Sequence, residues 1–333
     1  MPANFVKLAL AAALALLILL GLVAGYILHQ LSVPVSQDRV FTIEPGSNLS
    51  VITKRLTGDE LLPVDDIVFK AFALLTRDAG SIRAGQYQLR AGMQSQDLLA
   101  LFRSGKVIQY RLTFPEGLRV EEWLGRLKEA PYLEAKTTGL TREELGQALG
   151  LATQLEGWLF PDTYHYILGD SDLDILKLAV NKMSDVLGSE WDSRAMTTIS
   201  SPFDALTLAS IIEKETGYGP DREKIASVFH NRLDKGMRLQ SDPTVIFGLG
   251  AAFDGDLKRI HLKSDTPYNT YTRRGLPPGP ICSPGRASIN AALAGSSHPY
   301  FYFVAMGDGR SYFSVTLEEH NKAVYRYQIK REQ

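Results

Sequence analysis

Residues Ser201 to Gly217 read SPFDALTLASIIEKETG. A serine at 201 can cap a helix, Pro202 suits the first helical position, and Asp204 complements the positive end of the dipole in the first turn. Stepping 100° per residue from Ala205 places Leu206 at about 100°, Leu208 at about 300°, Ala209 at about 40°, Ile211 at about 240° and Ile212 at about 340°. The apolar arc therefore runs from about 240° through zero to about 100°. Glu213 falls at about 80° and Glu215 at about 280°, both inside the arc, with Lys214 pointing away. A carboxylate on the buried stripe of a helix is costly unless it is paired or functional, and apolar surroundings raise its pKa, as a general acid requires. The plain structural alternative is pairing with Arg or Lys on neighbouring helices. Residues two apart do not face each other, so Glu213 and Glu215 are not expected to flank one bond together.

Outward from this helix the pattern is mixed. Asp172–Leu187 and Arg222–Leu233 read as helices, and Gln240–Gly285, rich in Gly, Pro, Asn and Tyr, reads as a long functional loop. Tyr300–Val304 and Tyr312–Val315 read as strands around Gly307-Asp308-Gly309, with a closing helix over Asn321–Gln328. Before it, Arg111–Phe114 suggests a strand and Val120–Leu127 a helix. Residues 39–107 form a small α/β pattern: strand residues Val40, Phe41 and Ile43, short helices from Leu49 and over Asp65–Leu75, a strand at Tyr87 and Leu89, and a helix capped by Ser95.

Leu8–Leu28 holds 21 residues without a charge, enough to span a bilayer and longer than the apolar region of a signal peptide. Lys7 precedes it and the next basic residue is Arg39, which puts the short N-terminus in the cytoplasm and the bulk outside. The 36 basic and 37 acidic residues leave a net charge of −1, giving no electrostatic reason for nucleic-acid binding. The single cysteine, Cys282, excludes an intrachain disulfide and Cys-rich zinc sites. The six histidines, His29, His165, His230, His261, His298 and His320, never stand four apart, and neither HExxH nor G-x-S-x-G occurs. No metal site and no organic cofactor is expected.

Several loops interleave aromatic and short polar residues: Glu156–Tyr164 (EGWLFPDTY), Gln240–Thr244 (QSDPT) and Tyr268–Tyr271 (YNTY). Rings can cover the C–H faces of a sugar while Asn, Gln and Asp bind its hydroxyls. Together with a carboxylate on an apolar stripe, these clusters point to a glycan groove.

At these same residues the chain resembles the endolytic murein transglycosylases (YceG-like). The similar stretches are EGWLFPDTY, LASIIEKET (Leu208–Thr216), ASVFHNRL (Ala226–Leu233), MRLQSDPTVIFGLG (Met237–Gly250), YNTYTRRGLPPGPICSPG (Tyr268–Gly285) and YFYFVAMGDGRSYFSVTLEEHN (Tyr300–Asn321), in the family's order. The resemblance implies an α+β protein: a cytoplasmic N-terminus over residues 1–7, a transmembrane helix over 8–28, a LysM-like α/β module over 39–107 and a catalytic domain with long loops over 108–333. It implies a bacterial inner-membrane protein facing the periplasm that cuts peptidoglycan strands internally and leaves 1,6-anhydro-N-acetylmuramic acid ends, ending strand elongation. It also implies Glu213 as catalytic acid, with Glu156, Asn231, Gln240, Asp242, Tyr268, Asn269 and Tyr271 contacting substrate or holding Glu213, and association with cell-wall synthases (penicillin-binding proteins). Two alternatives stand beside this reading: a hydrolytic muramidase with Asp242 or Glu156 as second carboxylate, and a non-catalytic, membrane-anchored peptidoglycan-binding scaffold.

Overall fold

The computed structural model describes residues 2–58, 61–76, 80–151, 154–195 and 198–330. Met1, part of the expected cytoplasmic N-terminus, and 331–333, part of the expected catalytic domain, lie outside the described residues. The chain divides into two compact units, 1–110 with 166–169, and 111–165 with 170–333.

The first unit begins with α1 (Pro2–Ser32), whose stretch Phe5–Ser32 contains an 18-residue window of mean hydropathy 2.7 and is by length and composition able to cross a membrane. Leu8, Leu14, Leu22 and Leu28 on it are all exposed. Strands β1 (Arg39–Ile43) and β2 (Gly85–Leu89) pair antiparallel with Phe41 opposite Tyr87. Phe41 and Ile43 point inward by strand alternation. Helices α2 (Leu49–Gly58), α3 (Asp66–Leu75) and α4 (Ser95–Ser104) supply Ile52, Leu56, Phe69, Leu98 and Phe102 to the same core. Tyr87 meets Phe102 edge-on at 5.0 Å and donates its hydroxyl hydrogen to the Arg83 carbonyl at 2.7 Å. Asp65 caps α3 through the Ile67 N–H. The cap of α4 is Gln94, with Ser95 its first helical residue, because Asp97 reaches back to the Gln94 N–H.

The second unit is mainly helical. Strands β3 (Tyr110–Thr113) and β4 (Thr163–Tyr166), of which 111–113 and 163–165 fall in this unit, pair, and α5 (Val120–Glu129), α6 (Arg142–Ala148) and α7 (Asp172–Asp192) lie along the same unit. Trp123 on α5 stacks on Phe114 at 3.7 Å. Helix α8 (Pro202–Glu215) runs through the core, capped by Ser201, whose hydroxyl accepts from the Asp204 N–H as the sequence suggested. Eight consecutive residues, Ala205 to Ile212, are buried, so the amphipathic reading understates its burial: it is enclosed on every side. It packs on α7, α9 (Arg222–Asp234), α10 (Asp242–Leu249) and most extensively α12 (Arg286–Leu293). Ala205 and Ala209, with Ala291 and Ala292 of α12, all belong to this buried core.

Two expectations need correction here. The stretch 240–285 is not a continuous loop, since α10 and the short α11 (Arg259–Lys263) lie within it. The chain also ends differently: after the antiparallel hairpin β5 (Tyr302–Ala305) and β6 (Ser311–Ser314), helix α13 begins at Leu317, capped by Thr316, and passes at Tyr325–Ile329 into a π-helical turn.

Enclosure forces the polar groups of α8 to find partners inside. The Ser210 hydroxyl donates to the Thr207 carbonyl at 2.7 Å and accepts from the Ile281 N–H at 3.0 Å. Ser210→Ala would leave that buried N–H unpaired, and is expected to lower unfolding free energy by about 2 kcal/mol in urea melts. An effect below about 0.5 kcal/mol would show that the Ile281 N–H finds water or another acceptor.

Candidate active site

Helix α8 ends where enclosure ends, and its two carboxylates leave on different sides. Glu215 accepts from the Ser241 hydroxyl at 2.5 Å. It lines a cavity of about 510 Å³ with Arg232, Gln240, Asp242, Tyr271, Tyr302 and His320 among the other walls. Burial pushes the Glu215 carboxyl up to about 7; the Ser241 bond and Arg232 oppose this and Asp242 reinforces it. A carboxylic acid half-protonated near neutral pH, facing a polar cavity, is equipped both to donate and to accept a proton.

The wall opposite α8 is held by a buried network between two segments the sequence singled out. The Ser241 N–H donates to the Thr270 hydroxyl at 2.9 Å, the Thr244 and Thr270 hydroxyls are 2.9 Å apart, and the Gln240 N–H donates to the Thr270 carbonyl at 3.2 Å. Gln240 takes φ of 54°, a left-handed conformation uncommon for a residue with a side chain. Asn269, fully buried, donates through Nδ2 to the Ser264 carbonyl at 2.6 Å, with longer bonds to the His261 and Leu262 carbonyls, and its Oδ1 accepts from the Tyr271 N–H at 2.8 Å. The Tyr271 hydroxyl in turn donates to Asp242 at 2.6 Å, and burial together with that carboxylate raises the phenol well above its usual range.

Glu213 points elsewhere. Its Oε2 accepts from the Gly285 N–H at 3.0 Å, and it is not among the residues lining the Glu215 cavity. A Cβ on Gly285 would lie 1.7 Å from a carboxylate oxygen of Glu116, so only glycine lets Glu116 fold over this backbone. Two carboxylates therefore converge on Gly285. Burial of its carboxyl end, and then the charge of Glu213, raise the pKa of Glu116, while Arg222 lowers it. Among the described residues neither Glu213 nor Glu215 has an ion-pair partner within 4 Å.

The remaining residues singled out by sequence divide by role. Gln240, Asp242 and Tyr271 line the Glu215 cavity. Asn231 is a clamp: Nδ2 donates to the His298 and Tyr300 carbonyls at 2.8 Å, and Oδ1 accepts from Ser296 at 2.7 Å. Tyr268 packs on Phe247 at 4.7 Å between ring centroids. Glu156 sits apart from the cavity, with Oε2 accepting from the Val120 N–H at 3.4 Å and Oε1 buried without a hydrogen-bond partner, and burial pushes it up to about 7. Cys282 and His230 are buried; burial raises the thiol, and the His230 ring bonds the Ala292 carbonyl at 2.9 Å.

Arg232, Tyr302 and His320 line the cavity but escaped the sequence reading. Arg232 donates to the Phe301 and Leu239 carbonyls at 2.7 Å each, its guanidinium lies 5.3 Å from the Tyr302 ring, and that ring stacks on His320 at 5.3 Å. Burial first, and then Arg232, lower the pKa of His320. The signal for Arg232 was available: it stands at i+4 from Val228 and i+3 from Phe229 on the buried side of α9, a cation on an apolar stripe.

Glu215 and Glu156 carry a stability signature. Each has a folded-state pKa of about 7 against 4.5 for the free group, so between those values the folded chain holds more protons than the unfolded one. Their favourable contribution is complete below about pH 4.5 and is lost as pH rises through about 7, by up to about 3 kcal/mol for each group. Denaturant melts between pH 4.5 and 8 are expected to show falling stability, with a shallower slope in Glu215→Gln and a nearly flat one when Glu156→Gln is added. An unchanged slope in both variants would mean that neither group is desolvated.

Comparison with known proteins follows the same residues. The model of the YceG-like family matches residues 41–326. The chain is 32% identical over 318 residues to a Bacillus subtilis protein named endolytic murein transglycosylase, covering 88% of this chain and 87% of that one. It is 28% identical to a Streptococcus pneumoniae protein of the same name, covering 85% of this chain and 57% of that longer one. A crystal structure of a YceG-like protein from Listeria monocytogenes superposes with a TM-score of 0.54 at 31% identity, covering 86% of this chain and 99% of that one. With 286 of 333 positions inside the family match, the chain belongs to the YceG-like family.

Proposed function

We propose that this protein is a membrane-anchored lytic transglycosylase that cuts peptidoglycan strands internally, with an acid at the end of α8 as its proton donor. The names of its relatives support the activity. The observation that carries the assignment of the acid is the cavity itself: Glu215, held up to about 7 by burial, shares it with Gln240, Asp242 and Tyr271. On this geometry we assign the acid to Glu215 in place of Glu213, which bonds the Gly285 N–H outside that cavity.

Protonated Glu215 donates to the glycosidic oxygen as the bond to the muramic acid anomeric carbon breaks and an oxocarbenium-like centre develops. The C6 hydroxyl of the same sugar attacks that carbon. Being already attached, it replaces an external water through its high effective molarity. Ionised Glu215 takes the hydroxyl's proton, and the acid is restored as the 1,6-anhydro ring closes. Desolvation tunes this cycle, because it keeps the group a competent acid near neutral pH. The Ser241 hydroxyl orients one oxygen and stabilises the anion formed midway. Gln240, Asp242 and Tyr271 contact the sugar, whereas Asn231 and Asn269 act by fixing loop backbone and Tyr268 by packing behind it. Glu156 takes no part in proton transfer on this reading.

The apolar α1 supports single-pass anchoring, and Lys7 before it supports a short cytoplasmic N-terminus with the bulk in the periplasm. The small unit serves as a LysM-like contact to the wall, and termination of nascent strands beside the synthases follows from the family resemblance.

Asp242 in the same cavity keeps the hydrolytic reading testable, since a second carboxylate is what a muramidase needs. Digestion of purified strands by the full-length protein, followed by mass analysis, separates the readings because hydrolysis adds a water and ring closure does not. Anhydro ends are expected, with activity lowered at least about a thousandfold in Glu215→Gln, the loss of a proton donor and acceptor together. Products carrying the extra water would overturn the lyase mechanism. Full activity in Glu215→Gln with loss in Glu213→Gln would return the acid to Glu213, and no cleavage by the unaltered protein would leave the scaffold reading.

A further inference from the structure

A second depression, of about 260 Å³, is lined by Arg119, Lys214, Pro243, Ile246 and Ile281. It adjoins the proposed cleft through the chain itself: Lys214 precedes Glu215 on α8, and Pro243 follows Asp242 at the start of α10. Among the described residues neither cation has an ion-pair partner within 4 Å. The Arg119 guanidinium lies 5.2 Å from the Phe247 ring centroid, and the Lys214 ammonium donates to the Gly117 carbonyl at 3.3 Å. Both charges are thereby positioned without a close ion pair, Arg119 acting on the Glu156 carboxyl only at longer range. Glu213 and Glu116 converge on Gly285 and line no part of this depression.

A planar guanidinium laid on an aromatic face retains an edge for a carboxylate, and an ammonium beside it adds a second charge-assisted bond. The Pro243, Ile246 and Ile281 side chains provide an apolar floor for small side chains and methyl groups. In a stem-bearing strand the lactyl carboxyl of each muramic acid is tied up as an amide, so the sugars themselves offer no anion to two cations here. The peptide stems that hang from muramic acid carry free carboxylates and alanine methyls, which match both parts of the surface. We infer that the Arg119–Lys214 depression is a stem-peptide subsite that binds the carboxylates of the substrate's peptide. The inference rests on the glycan-cleavage reading for the identity of the strand, and adds to it a means of distinguishing stem-bearing from stripped strands.

Binding measured apart from turnover tests it. Full-length Glu215→Gln protein in detergent is titrated calorimetrically with a disaccharide bearing its peptide stem, with the same disaccharide stripped by an amidase and its freed lactyl carboxylate capped as a methyl amide, and with the stem's carboxylates converted to amides. The stem-bearing ligand is expected to bind about tenfold more tightly than the other two, with the ratio shrinking as salt rises. Adding Arg119→Gln and Lys214→Gln is expected to bring the ratio close to one. Equal affinities for all three ligands, or a ratio that survives both substitutions, would overturn the subsite. The amidated ligand decides the matter even where the substituted chain folds poorly. Failure of the cleavage reading shows separately, as an absence of anhydro ends from the unaltered protein.

Discussion

The constraint on which the second unit depends is that α8 is buried on all sides and still ends in two carboxylates. Eight enclosed residues fix the helix against α7, α9, α10 and α12, which leaves no freedom to turn an acid toward solvent by rotating the helix. Glu215 must therefore be accommodated where it stands. Its bond from Ser241 and the more distant charge of Arg232 offset only part of the desolvation, and the balance favours a retained proton. A close ion pair would have made the same position more comfortable and chemically inert at neutral pH.

That balance requires a rigid opposite wall, and the loops after α9 supply it. The Thr244 and Thr270 hydroxyls form a buried network with the Ser241 backbone, and Asn269 stitches the neighbouring backbone with its side-chain amide. Each of these groups satisfies buried main-chain atoms that no helix or strand provides for. The interleaved polar and aromatic residues that looked like a glycan surface are thus of two kinds. Gln240, Asp242 and Tyr271 present atoms to the cavity, while Asn231 and Asn269 spend their hydrogen bonds inside the protein. Composition alone does not separate these kinds, because the same short polar side chains serve both.

Legibility from the sequence followed the range of the forces involved. The small unit was readable almost element by element, since strand alternation at Phe41 and Ile43 and the acidic start of the helix after Val64 are local effects, although the cap expected at Ser95 falls to Gln94. The start of α8 was readable for the same reason. Helix α12 was missed: its stretch Arg286–Leu293 is built largely of alanine and serine, and it becomes a core element only by lying against α8. Helices α10 and α11 were hidden by flanking prolines and glycines. The sharpest ambiguity lay between Glu213 and Glu215. Both fall on the apolar stripe, and nothing local distinguishes them. What separates their settings is Gly285 arriving 72 residues later against one carboxylate and Ser241 arriving 26 residues later against the other.

The two carboxylates illustrate how one helix terminus can support two different electrostatic settings. Glu213 meets the Gly285 N–H, with the carboxylate of Glu116 folded over the same glycine. Glu215 meets the Ser241 hydroxyl and an open cavity that it shares with Asp242, whose charge adds to the desolvation that raises its pKa. Protonating a glycosidic oxygen and recovering a proton from the same sugar requires one group that can hold and release a proton near neutral pH while facing open space. The geometry around Glu215 is of the kind the proposed mechanism calls for, and its desolvation, unfavourable to the folded state as pH rises, is the same property that would suit it to act as an acid.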